Sequence, residues 1–406
     1  MRHLLSCSLI AVAGIVPAAD NLVLHTFTKQ RLSDQFFCEG SAIGDFNKDG
    51  VKDAVSGPYW YAGPELTAKH TIYPPKAIEP TTYSDNFLTF AHDMNGDGFD
   101  DVIVVGWPGK EGVWFQNPGN DMPWPRHVVM DIVDNESAMF ADLTGDEKPE
   151  MLCNRGGFVG YYAADWSDAK KSWTWKSVSE KGAWHKYTHG IGQGDVNGDG
   201  RVDILLREGW WEQPASLAND PVWKFHAQDF GEGGAQMLVE DVDGDKRADV
   251  ITSLKAHEWG LAWFQQQADG SFKRNLIIGP KPEDSPYGVA FSQLHALALA
   301  DIDGDGLNDI ITGKRWWAHG PKGDPNPGDP AVLYWFRRQK SADGVLFVPH
   351  LVDDDSGVGC QVTIGDVTGD GKPDILVGNK KGTVVFRSQA KTVDEAAWKA
   401  AQPKRR

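Results

Sequence analysis

One nine-residue phrase, present seven times, constrains this chain more than any other feature. At Asp301–Asp309 it reads D-I-D-G-D-G-L-N-D. Carboxylates at alternate positions gather oxygens around a hard cation, which wants several of them at about 2.3–2.6 Å, and the glycine permits the tight turn. The phrase recurs at Asp45–Asp53, Asp93–Asp101, Asp142–Glu150, Asp195–Asp203, Asp241–Asp249 and Asp366–Asp374, with starts 48, 49, 53, 46, 60 and 65 residues apart. Seven loops at that pitch predict seven similar units, so the 406 residues read as one propeller or solenoid rather than two or three unrelated domains.

The loops supply the candidate calcium ligands. They are Asp45, Asn47, Asp49 and Asp53 in the first copy, Asp93, Asn95, Asp97 and Asp101 in the second, and Asp142, Asp146 and Glu150 in the third. The fourth offers Asp195, Asn197, Asp199 and Asp203, the fifth Asp241, Asp243, Asp245 and Asp249, the sixth Asp301, Asp303, Asp305 and Asp309, and the seventh Asp366, Asp370 and Asp374. Copies three and five depart at the glycine, with Glu147 and Lys246 there, and are expected to bind most weakly. Calcium held in such loops is a structural staple. A net charge of −17 argues against nucleic acid and anionic membranes as partners.

Short apolar runs flank every loop, as His295–Ala300 and Ile310–Thr312 do in the sixth copy, which predicts strand, metal loop, returning strand. A third strand rich in Trp and Phe follows (Gly112–Phe115, Leu261–Phe264, Leu333–Phe336, Thr383–Phe386), then often a fourth that opens on His or another polar residue (His70–Ile72, His127–Val129, Asn275–Ile277, His350–Val352). Four strands per unit describe a blade, so the fold class is all-β: a seven-bladed β-propeller with calcium loops between the first and second strands of each blade. The seventh unit lacks a fourth strand, and Leu22–Phe27 fits that pattern, so the N-terminal strand is expected to close the ring. Insertions fall around Lys281–Gln293 and Ala318–Pro330.

Residues 1–19 read as a signal peptide: Arg2 and His3, an apolar run from Leu4 to Val16, then Pro17-Ala18-Ala19. The propeller is placed at 20–388 and a polar, helix-leaning tail at 389–406, in an exported (periplasmic or secreted) protein without membrane insertion. Cys38, Cys153 and Cys360 are read as buried thiols, with a Cys38–Cys360 bridge as the alternative.

A second register lies six residues before each loop, where the innermost strand begins. It holds Glu39, Phe87, Glu136, His189, Ala235, His295 and Cys360. In a propeller these starts ring one mouth of the central channel, so two Glu and two His converge there. The turns after the second strands add Arg155, His257-Glu258-Trp259 and Lys314-Arg315-Trp316-Trp317, and Tyr187 lies two residues before His189. Acids, bases and exposed aromatic faces suit a sugar-handling pocket, although a single histidine on such a face is more often hydrogen-bonded scaffold. Among the familiar motifs, G-x-S-x-G, a glycine-rich phosphate loop, H-E-x-x-H and C-x-x-C are all missing from the sequence.

The seven loops resemble the FG-GAP/VCBS repeats of integrin α-chain propellers and of many exported bacterial proteins. More narrowly, His189–Asp203 with Gly209–Pro214, and Leu294–Gly306 with Lys314–Trp317, resemble the propeller part of the aldos-2-ulose dehydratase family. That resemblance implies a carbohydrate lyase eliminating water from a keto-sugar such as 1,5-anhydrofructose. His189 and His295 would then be acid and base, and Glu39 and Glu136 would orient them or hold a further divalent cation at the channel mouth. Tyr187 would stand beside them, and Lys314, Arg315 or Arg155 would offset enolate charge. The integrin likeness implies instead a module that binds a glycan or another exported protein without turnover.

Overall fold

The computed structural model describes residues 22–342 and 344–406, and the chain it shows is all-β, with one short helix at Glu395–Ala401 and a 3-10 turn at Pro282–Asp284. The signal-peptide reading lies outside the described residues.

Strands fall in antiparallel sets of four, each opening on a strand that runs into an acidic loop. Ser41–Gly44, Asp53–Ser56, Tyr59–Tyr61 and Lys69–Thr71 form the first set. The next two share one seven-stranded sheet, because the long strand Arg126–Ala141 ends one set and begins the other: its first half pairs with Lys110–Phe115, its second with Glu150–Arg155. Two more sets share an eight-stranded sheet, joined where Gly192–Gly194 runs parallel to Met237–Glu240. Leu294–Ala300, Asp309–Lys314, Leu333–Ser341 and Gly344–Asp353 form a set of their own. In the last sheet the order is Leu22–Ser33, Gly382–Val393, Asp374–Asn379, Thr363–Gly365, so the N-terminal strand lies outermost on the C-terminal one. That pairing carries the strand on to Val393, with Leu22 opposite Val393, so the tail begins later than residue 389.

The opening strands are short and lie inside, as the small residues of Gly192–Gly194 and Ser41–Gly44 allow. Ser41–Gly44 touches both Leu88–His92 and the Thr363–Gly365/Asp374–Asn379 hairpin. Apolar clusters fill the spaces between successive sets, for example Val55, Trp60, Val102, Val113 and Trp124. Outward, a tryptophan on a third strand packs on a histidine directly opposite on the fourth in four places, stacked for Trp60 on His70, Trp210 on His226 and Trp335 on His350 and tilted by 33° for Trp114 on His127. Cys38, Cys153 and Cys360 are buried free thiols, and burial pushes Cys38 up to about 12.

Candidate functional site

The acidic loops fold alike. In all seven, the first Asp accepts hydrogen bonds from the backbone N–H groups of the fifth and sixth positions, as Asp195 does from Asp199 and Gly200. The sixth position is left-handed throughout, φ 83° at Gly50 and 84° at Gly306, and Glu147 and Lys246 adopt it too at 66° and 72°. The ninth carboxylate has a task that its place in the motif does not reveal. It turns inward and accepts from the backbone N–H of position two, and each ninth Asp also accepts from a backbone N–H in or just past the third strand, as Asp203 does from Val196 and Gln213. Glu150, one methylene longer, reaches Leu143 N but no third-strand amide. Asp241, Asp243 and Asp245 bring ligand atoms within 4.8 Å of one another, as do Asp301, Asp303 and Asp309. In the sixth loop the Arg337 guanidinium already lies 2.5 Å from Asp303.

The second register meets at one buried cation. Arg315, just past the strand Asp309–Lys314, is 2% exposed. Its Nη1 donates to Glu136 Oε2 at 3.2 Å and to His295 Nε2 at 2.8 Å, its Nη2 pairs with Glu39 Oε2, and its guanidinium lies 5.3 Å from the Phe87 ring centre. Cys360 Sγ donates to the same Glu39 oxygen at 3.4 Å. A buried guanidinium is tolerable only when its charge is matched, and two carboxylates do that here through Nη1 and Nη2, while Nε finds no partner among the described residues. Burial alone would raise the Glu136 carboxyl, but hydrogen bonds from His189 and His295 and the charge of Arg315 outweigh it and hold it well below the usual carboxylate range.

Beside Arg315 three imidazoles converge. His189 Nε2 stands 3.2 Å from His295 Nε2 and 3.1 Å from His257 Nε2, with Glu136 Oε2 3.6 and 3.5 Å from the first two. His295 is fully buried, and burial and then the Arg315 charge push it down to about 3, so it is neutral. An imidazole nitrogen has one lone pair, and that of His295 Nε2 cannot serve both Arg315 and His189. His257 is likewise driven well below its ordinary value by burial and by its histidine neighbours. Two nitrogens on a tetrahedral zinc, each at about 2.0–2.1 Å, stand roughly 3.3 Å apart, so this set fits a divalent transition metal.

The predicted residues divide. Glu39, Glu136, His189, His295 and Arg315 come together. Tyr187 stands at an aromatic rim, 5.8 Å centre to centre from Trp107, which in turn lies 4.6 Å from Tyr83. Lys314 does not join them, which corrects the expectation for it: it is buried and its Nζ donates to Ser292 Oγ at 3.0 Å and Asn326 O at 2.7 Å, anchoring the insertion. Arg155 turns outward to Asp131. Sequence reasoning placed His257 on this face without giving it a role, and it missed His319 and Asp324. These two lie in the Pro/Gly-rich insertion, where no repeat register marks them; yet Asp324 accepts from His319 Nδ1 and from His319 N, both at 2.7 Å.

Comparison with known proteins agrees with the loops. A model of the FG-GAP-like repeat matches residues 93–153 and 241–312, and one of the FG-GAP repeat matches 359–390. Integrin alpha-PS3 of Drosophila melanogaster is 31% identical over 104 residues, 24% of this chain and 9% of that protein, so the match spans under a tenth of the relative's length. Among solved structures, an Agrocybe aegerita lectin described as recognising non-reducing terminal N-acetylglucosamine aligns at TM-score 0.48 and 18% identity, over 91% of this chain and 86% of the other. BBS1N, solved in complex with ARL6DN, aligns at 0.49 and 9%, over 91% and 96%. The V. cholerae biofilm matrix protein Bap1 aligns at 0.42 and 10%, over 91% and 89%. The chain is thus an all-β protein that carries FG-GAP repeats.

Proposed function

We propose that this is an exported, calcium-stapled seven-bladed propeller, its ring closed by Leu22–Ser33, whose channel mouth is a cation-assisted lyase centre for a keto-sugar. The observation that carries the reading is the meeting of three histidines from separate units, His189 Nε2 standing 3.1 Å from His257 Nε2 and 3.2 Å from His295 Nε2, with one nitrogen of each ring within 4.8 Å of the others, beside an ionised Glu136. His189 Nε2 faces two ring nitrogens with a single proton or a single lone pair to offer, so it cannot satisfy both contacts, whereas a shared cation would satisfy all three rings.

In this reading His189, His257 and His295 hold the ion. When bound, it would supply Lewis-acid polarisation of a substrate carbonyl. Protons are then moved by groups other than His295, which is fully buried and would give its Nε2 lone pair to the ion in place of Arg315. Glu136 takes the proton next to the carbonyl, and Tyr187 at the rim donates to the departing hydroxyl. Arg315 pairs with Glu39, helps keep Glu136 ionised and offsets the charge that develops beside them. Tyr83, Trp107 and Tyr187 offer ring faces and edges to the C–H faces of a sugar. The keto-sugar itself comes from the resemblance of His189–Pro214 and Leu294–Trp317 to the dehydratase propeller.

The test is a proton-NMR time course of the protein, loaded with calcium and zinc, against 1,5-anhydrofructose and several 3-keto-glycosides. An enone vinyl signal is expected, with Glu136→Gln slowing its appearance by about 100-fold or more, the usual scale of a lost general base. A second reading, glycan binding without turnover, is favoured by the aromatic rim and by the integrin likeness. Intact sugars whose lines broaden on adding protein would replace the lyase reading with that one.

A further inference from the structure

We infer that the mouth holds a second divalent ion, bound by His257, His319 and Asp324, and that the His257 ring bridges it to the first. This rests on the cation centre proposed above, with which it shares His257. The two ring nitrogens of His257 face different sets of ligands: Nε2 lies 3.1 Å from His189 Nε2, while Nδ1 lies 3.6 Å from Asp324 Oδ1. That Nδ1 is buried and has no hydrogen-bond partner among the described residues, which is costly unless something else occupies it. One ligand atom each from His257, His319 and Asp324 lies within 4.8 Å of the others, and the His257 and His319 ring centres are 4.2 Å apart.

The Asp324 side chain is only 3% exposed, unusual for a carboxylate in an insertion loop, and its one side-chain donor among the described residues is His319 Nδ1. Lys314 anchors the loop by its bond to Asn326 O, so the pair is presented on a fixed element. Two imidazoles and one carboxylate suit zinc or copper(II), whereas calcium takes six to eight oxygens. His319 is 46% exposed, which leaves one side of this site open to water or a sugar hydroxyl. Bridging uses both ring nitrogens of His257, so its remaining ring proton passes to solvent as the second ion binds.

The experiment is a copper(II) titration of calcium-saturated protein, counting equivalents retained through gel filtration and recording the electron paramagnetic resonance of each loading. The expected result is two equivalents, with the signal falling as the second binds, because an imidazolate bridge couples the two spins. Asp324→Asn and His319→Gln, which keep shape and polarity, should each retain one equivalent with a full uncoupled signal. One equivalent in the unsubstituted protein, or two that both variants keep, would overturn the second site. Two equivalents reduced to one by the variants but uncoupled would overturn the bridge. No retained copper at all would remove the first centre as well, a failure separable from loss of the second alone.

Discussion

At the scale of single residues, the sixth loop position shows how a repeat tolerates a misfit. Five copies place glycine there, and Glu147 and Lys246 hold the same left-handed backbone at a cost of about 1 kcal/mol each. Lys246→Gly should therefore raise stability by about 1 kcal/mol in a urea titration, and Lys246→Ala should leave it nearly unchanged. The buried thiols give a second residue-scale expectation. Burial pushes Cys38 up to about 12 and Cys153 and Cys360 well above the usual thiol range, so none presents a thiolate at neutral pH. A thiol reagent at pH 8 should find all three silent in the native protein and reactive in guanidinium, and fast native labelling would contradict that environment.

At the scale of elements, the third and fourth strands of four units meet through a tryptophan–histidine pair, stacked in three of them. His350, on Trp335, is pushed down to about 4, first by burial and then by the Arg337 charge. Its folded value lies below its unfolded value of about 6.5. The unfolded chain therefore takes up a proton as pH falls below 6.5, while the folded one stays neutral to about 4. Stability present above pH 6.5 is lost over that window, up to about 3 kcal/mol from this residue. His350→Phe keeps the stack without the titration, so its stability should fall less between pH 7.5 and 4.5. Equal slopes in chemical denaturation would show that His350 is not responsible. The alternation of Trp and His was legible in the sequence as strand patterning; that they stack on each other required the register Trp335 opposite His350, which pairing decides.

At the scale of the whole molecule, the proposed calcium loops and the N-terminal strand are the two devices whose loss can be measured. If the acidic loops take calcium as proposed, filling one at 100 times its dissociation constant adds about 2.7 kcal/mol, so chelating the ion from two or more should lower the melting temperature by about 5–10 °C, reversibly on adding calcium back. Deleting Leu22–Ser33 removes the partner of Gly382–Val393 and bares a long sheet edge. That variant should self-associate in light scattering, and a monomer with unchanged melting would show that the edge is protected otherwise. By itself the sequence determined the local matters: where each loop turns, which strand precedes it, and which residues begin each inner strand, because these depend on spacing within a few tens of residues. It therefore marked Glu39, Glu136, His189 and His295 as neighbours. Only the tertiary structure decided what those neighbours do. Arg315 reaches across to Glu39 and Glu136, Lys314 beside it turns away into the insertion, and His257, His319 and Asp324 arrive from loops outside the register, because contacts between packed sheets follow distance in space and not position in the repeat.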